Sequence, residues 1–123
     1  MQNTNFDKTL DKEPIELLNW LLGNFNTEIP GVIVSMNDMT KAGETLLKLS
    51  GYYSYLMALL SYCKIKTRDA KRNKSKEEYE NMVDKKEVLQ NFTDAVKQNY
   101  SAVSRAVTIY IENNNELKMG RGN

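Results

Sequence analysis

Between Lys64 and Lys76 the chain carries seven basic residues, Lys64, Lys66, Arg68, Lys71, Arg72, Lys74 and Lys76, against one acid, Asp69. Lys64, Arg68, Lys71 and Arg72 stand at spacings of three and four, so on a helix they can line one face. A cationic row of this kind suits phosphates. Each phosphate neutralised releases condensed counterions, which gives salt-sensitive binding that is largely blind to base sequence. Tyr62 borders the row, Tyr52 and Tyr55 precede it and Tyr79 follows it. An exposed ring among cations can stack on an unpaired base, and Tyr62 is the best placed of the four. The plainer interpretation is a solvated turn whose charge is offset by Asp69, Glu77, Glu78 and Glu80, with tyrosines that pack against another helix or subunit.

Other chemistries find no residues to carry them. The chain has no histidine, which removes the usual general base near neutral pH and the commonest metal ligand. Its single cysteine, Cys63, can form neither an internal disulfide nor a ligand cluster, and its position on an apolar seam suits a buried small residue. Ser101, Ser104 and Thr108 have no base to activate them. There is no glycine-rich phosphate loop, no paired-carboxylate arrangement and no metal-ligand pattern. The expectation is a non-enzymatic protein without a cofactor. The first residues lack a basic start followed by an apolar run, and no stretch of 18 apolar residues exists, so neither a signal peptide nor a membrane span is expected. That points to the cytoplasm, or to a host cytoplasm for a phage-encoded chain.

The elements that must hold the basic row are two long helices. Leu46, Leu49, Tyr53, Leu56, Leu60 and Cys63 alternate at steps of three and four. Met82, Leu89, Val96, Val103, Tyr110 and Leu117 recur every seven residues. Both patterns keep an apolar seam on one side of a helix. Asn37 or Asp38 can cap the first, over about 39–72. Ser75 opens a capping box with Glu78 for the second, over about 76–118. Gly43 and Gly51 interrupt the first helix, and Gly51 is a candidate for a bend or a close crossing. Phe92, Ala95, Ala102, Ala106 and Ile109 widen the second stripe, which suggests packing against more than one helix. A short apolar helix is predicted over 13–23, started by Pro14 and stopped by Gly23 and Asn24. It would cover the hairpin or reach another subunit. Pro30, Gly31 and the run Val32, Ile33, Val34 read as an extended strap. Residues 1–11 and 120–123 are expected to be disordered.

The layout resembles that of the UvsY-like recombination mediators of tailed phages, over about residues 40–110. The family's basic motif has a Leu-Lys-Ala-Arg character, and Ile65, Lys66, Thr67 and Arg68 stand in its place. Asp84, Lys85, Lys86, Glu87, Val88 and Leu89 are similar to a family stretch Asp-Lys-Asp-Val-Leu with one residue more. The resemblance implies a small helical protein of ring-like assembly that binds single-stranded DNA. Such a protein helps to displace a single-strand-binding protein and loads a recombinase, with Lys66 and Arg68 as phosphate contacts.

One all-α domain over residues 1–123 is therefore expected: a long antiparallel hairpin, a short N-terminal helix and a strap, forming a homo-oligomer. The nucleic-acid site is expected at Tyr62, Lys64, Lys66, Arg68, Lys71, Arg72, Lys74 and Lys76. The seams centre on Leu46, Leu49, Tyr53, Leu56 and Leu60, and on Met82, Leu89, Val96, Val103 and Tyr110. The competing expectations are a phage module that inhibits a host enzyme or defence system through the short helix and the tyrosines, or a helical virion adaptor.

Overall fold

The computed structural model describes residues 4–25 and 39–122, every element of which is helical. Helix α1 spans Thr4–Leu10, α2 Pro14–Asn24, α3 Met39–Asn73 and α4 Lys76–Gly122. The predicted strap and the Asn37 or Asp38 cap lie outside the described residues, as does the side chain of Leu117.

Helices α3 and α4 form the expected hairpin. Lys74 still donates its N–H to Ala70 O, and Tyr79 donates to Ser75 O, so the reversal is confined to Lys74 and Ser75. The Glu78 N–H donates to Ser75 Oγ at 3.2 Å, as predicted. The return bond differs from expectation, because the Glu78 carboxylate accepts from the Ser75 hydroxyl at 3.4 Å. At ~1.5 Å per residue, α3 is about 52 Å long and α4 about 70 Å, so α4 projects past the start of α3. Helix α4 also runs beyond the stop expected near 118 and through Gly120, since each residue added to an existing helix gains a hydrogen bond at low cost.

The seams are correct in outline and shifted in detail. Leu49, Leu56, Leu60, Cys63, Leu89, Val96 and Val103 are buried. Leu46, Tyr53, Met82 and Tyr110 are only half-buried at the margin of the core. Leu59, off the predicted seam, is fully buried. The cause is a third layer. α1 and α2 lie along one side of the hairpin, where Tyr52 meets Phe25 and Tyr55 meets both Phe6 and Phe25. Leu17, Leu21 and Phe25 are the buried face of α2, and Phe25 meets Phe92 of α4. The broad stripe of α4 is used there, whereas Ala95, Ala102 and Ile109 stay exposed.

The short helix begins at Pro14. The Glu13 N–H donates to the Glu16 carboxylate at 3.0 Å, a second capping box. Thr4–Leu10, expected to be frayed, is helical because it docks: Thr9 and Leu10 are buried against the hairpin. The buried Lys85 ammonium donates to Leu10 O, and Asn81 Nδ2 donates to Glu13 Oε2 at 2.9 Å, which pins the α1–α2 corner to α4. Gly51 does not mark a close crossing, as no atom of the described residues would lie within 4 Å of a Cβ there.

Candidate nucleic-acid interface

The basic row occupies the last turns of α3 and the reversal. Lys64, Lys66, Arg68, Lys71, Arg72, Lys74 and Lys76 are all exposed. Their directions differ. Tyr55, Tyr62 and Lys66 point toward α1. At 3.6 residues per turn, Lys64, Arg68 and Lys71 then come round on the opposite side of α3, while Arg72 turns to its outer side. Lys76 pairs at 4.0 Å with Glu80, one turn on, and both are well exposed. Among the described residues, Lys64, Arg68, Lys71, Arg72 and Lys74 make no ion pair. None of these five has Asp69, Glu77, Glu78 or Glu80 within ion-pair distance, while Asp69 and Glu78 line one hollow with Lys66 and Lys74.

Helix α4 adds cations that lie outside the basic run in sequence. Val88, Asn91, Phe92 and Ala95 line a groove with Leu18 of α2. Lys86 and Lys97 stand on the opposite side of α4, toward the face of the hairpin that α1 and α2 leave uncovered. Lys86 is level with the basic run, since its charge acts on the thiol of Cys63. Lys97 lies about 16 Å farther along. The uncovered face therefore carries Lys64, Arg68, Lys71, Lys86 and Lys97 from two helices. Among the acids of α4, Glu80, Asp84, Glu87 and Asp94 follow its outer side, with Asp94 on a hollow shared with Lys97, whereas Glu77 and Glu78 line a hollow with Glu13 and Lys85. Lys86 and Lys97 escaped sequence analysis because only the way the two helices face each other puts them on the same face as Lys64, Arg68 and Lys71, Lys97 at some distance beyond the run.

Tyr62 sits elsewhere. Its ring lies 5.7 Å from Phe6 of α1, its hydroxyl donates to Asp7 Oδ1, and the Lys66 ammonium stands 5.3 Å from the ring centroid. Lys66 also reaches Asp7 at 4.0 Å. The bond to Asp7, above all, raises the Tyr62 phenol above its ordinary pKa of 10.0. Tyr62 above all raises the Lys66 ammonium in turn, burial opposes it, and the carboxylates of Asp7 and Asp69 add less than either. Tyr62 is thus half-buried under α1 and is not an open stacking platform.

The preceding tyrosines are engaged as well. Phe6 meets Tyr55 edge-on at 5.5 Å. Phe25 meets Tyr52 at 5.0 Å, Tyr55 at 5.8 Å and Trp20 at 5.8 Å. A continuous row of rings from Trp20 to Tyr62 glues the N-terminal arm to α3. Such contacts add to the burial of large apolar area.

No helix among the described residues is long and apolar enough to cross a membrane. The described residues also bring no group of three or more histidine, cysteine, aspartate or glutamate side chains together as metal ligands would require. Comparisons with protein-family models, with curated proteins and with solved structures find nothing that matches this chain.

Proposed function

We propose that this protein is a non-enzymatic mediator that binds single-stranded nucleic acid through its phosphates, along the uncovered face of the hairpin. One observation carries the proposal: Lys64, Arg68, Lys71, Lys86 and Lys97 share that face, and among the described residues none of them is ion-paired. A row of unpaired cations on a stiff support attracts a polyanion even when the net charge is only +1, because the local field guides the encounter. The resemblance to phage UvsY-like mediators extends this to recombination: displacing a single-strand-binding protein and loading a recombinase in a host cytoplasm.

Self-association belongs to the same proposal. Leu47, Ile109 and Ile111 are exposed at the end of the hairpin away from the reversal, Leu47 to 76 %. Copies joined there keep their cationic ends free and present several modest sites to one strand, so avidity supplies what a single site lacks.

The test is anisotropy of a labelled oligothymidylate at two salt concentrations. Replacing Lys64, Arg68 and Lys71 together by Ala should weaken binding at least tenfold at low salt. It should also lower the salt slope by about 2, from roughly 0.7 per phosphate lost. Unchanged affinity in this variant, with its helicity intact, would refute the proposal.

A second reading, a protein-binding module, is favoured by Ile15 and Leu22 on the outer edge of α2, exposed to 64 % and 60 %. It predicts a host partner that is lost on Ile15→Ser with Leu22→Ser, and no affinity for DNA.

A further inference from the structure

Helix α1 has seven residues, too few to persist as a helix without support. It exists because it docks, and undocking would therefore unfold it. What it covers is an unusual combination for a helix–helix contact. Tyr55 and Tyr62 offer two aromatic rings, and Lys66 offers an ammonium beside them. Helix α1 answers with two consecutive residues. Phe6 places a ring between the tyrosines, edge-on to Tyr55 at 5.5 Å and tilted by 46° to Tyr62 at 5.7 Å, and Asp7 places an anion against the Tyr62 hydroxyl and the Lys66 ammonium. A ring and an anion one residue apart are the recognition elements of a nucleotide, a base and its phosphate.

We infer that Tyr55, Tyr62 and Lys66 form a nucleotide subsite for single-stranded nucleic acid, which α1 occupies in the free protein with Phe6 in place of a base and Asp7 in place of a phosphate. The inference rests on the proposed function and adds a second contact region, on the face of α3 opposite to Lys64 and Lys71. A strand held on the uncovered face has to wrap round the basic end of the hairpin to reach this subsite.

The contacts of α1 suit displacement. Asp7 and Lys66 are each about half exposed, 51 % and 45 % at the side chain. Pairs so exposed contribute little and weaken with salt. The firm anchors, Leu10 and the Lys85 bond to its carbonyl, lie at the other end of α1, beside the corner into α2. The first turn can therefore leave while Leu17, Leu21 and Phe25 keep α2 in the core. Stacking a base on an aromatic side chain is worth enough to compete with one phenylalanine ring.

The experiment uses the full chain with Phe6→Ala and Asp7→Asn combined. These changes remove the occupant and leave the anchors in place. Anisotropy with an oligothymidylate should show binding roughly tenfold tighter than wild type, the gain of about one stacked base. Adding Tyr62→Leu should abolish the gain, and an abasic strand of equal length should not show it. In the wild-type chain, hydrogen exchange at the amides of residues 7–10 should speed up when the oligonucleotide binds.

Equal or weaker binding by the folded double variant overturns the inference, as does slower exchange in α1 on binding. A gain that the abasic strand shares overturns the base-stacking role. Should the double variant lose helicity, the exchange measurement on the wild-type chain decides alone. Wild-type binding that depends on Lys64, Arg68 and Lys71 but does not respond to release of α1 leaves the proposed function standing without this subsite. No binding by either protein at low salt removes both.

Discussion

At the residue scale, three buried threonines are satisfied within their own helices, whereas the buried Lys85 ammonium finds its acceptor on another helix. Thr67, Thr93 and Thr9 are each 5 % exposed or less. Their hydroxyls donate to the carbonyls four residues earlier, Cys63 O at 2.7 Å, Leu89 O at 2.6 Å and Asn5 O at 3.0 Å. A threonine on a helix can thus enter an apolar seam without a distant partner. Among the described residues no buried side-chain nitrogen or oxygen lacks a partner. Cys63 shares this environment, and burial raises its thiol above the ordinary value of 9.0, with Thr67, Lys85 and Lys86 pulling weakly the other way. The thiolate is the reactive form. Ellman's reagent at pH 8 should therefore modify native Cys63 at least ~100-fold more slowly than the denaturant-unfolded chain, with the rate set by opening of the α3–α4 core. A native rate equal to the unfolded one would contradict the burial of this seam.

At the element scale, α3 contains two glycines that do nothing for packing. Among the described residues no atom lies within 4 Å of a potential Cβ at Gly43 or Gly51, and glycine inside a helix costs about 1 kcal/mol relative to alanine. Gly51→Ala should therefore stabilise the protein by roughly 0.5–1 kcal/mol, read as a higher midpoint in urea at unchanged slope. Docking of α1 makes a prediction of opposite kind. Because the folded protein raises the Tyr62 phenol, it favours the protonated form that donates to Asp7. That contribution is complete below pH 10, the unperturbed value, and is lost as pH rises through the folded value. Hydrogen exchange in α1, compared with the intrinsic rate at each pH, should lose protection on this alkaline limb. Tyr62→Phe should show lower protection at neutral pH and a smaller limb, the remainder belonging to the Lys66–Asp7 pair. An undiminished limb in Tyr62→Phe would assign it to another group.

At the scale of the whole molecule, cations gather at the reversal and on the face that α1 and α2 leave uncovered, and several acids follow the outer side of α4. Exposed apolar residues lie on α2 at Ile15 and Leu22, within the basic run at Ile65, and at the far end, at Leu47, Ile109 and Ile111. Self-association through that end predicts that light scattering gives a mass of more than one chain and that Leu47→Lys with Ile111→Lys gives a single chain. The single-chain variant should retain the intrinsic contacts but lose affinity for long strands far more than for short ones, because only long strands gain from avidity. A wild-type chain that sizes as a monomer at micromolar concentration would remove this part of the proposal.

The hairpin was legible because its signals are local and repeated. A seven-residue apolar period, the Ser75 and Glu78 pair and the run from Lys64 to Lys76 act over one or two turns, and each leaves its mark within a few neighbouring residues. Sequence alone therefore determined the all-helical class, the place of the reversal and the basic end. Tertiary structure alone decided the rest. Thr4–Leu10 is helical only because the hairpin offers Tyr62, Lys66 and Lys85 to it. Its docking, with that of α2, takes Tyr52, Tyr55 and Tyr62 out of open water. The same docking divides the basic run, with Lys66 beneath the arm and Lys64, Arg68 and Lys71 on the uncovered face with Lys86 and Lys97. The physical reason is that a period fixes which residues share a side of one helix, whereas the side left to solvent depends on contacts between segments as far apart as Asp7 and Tyr62.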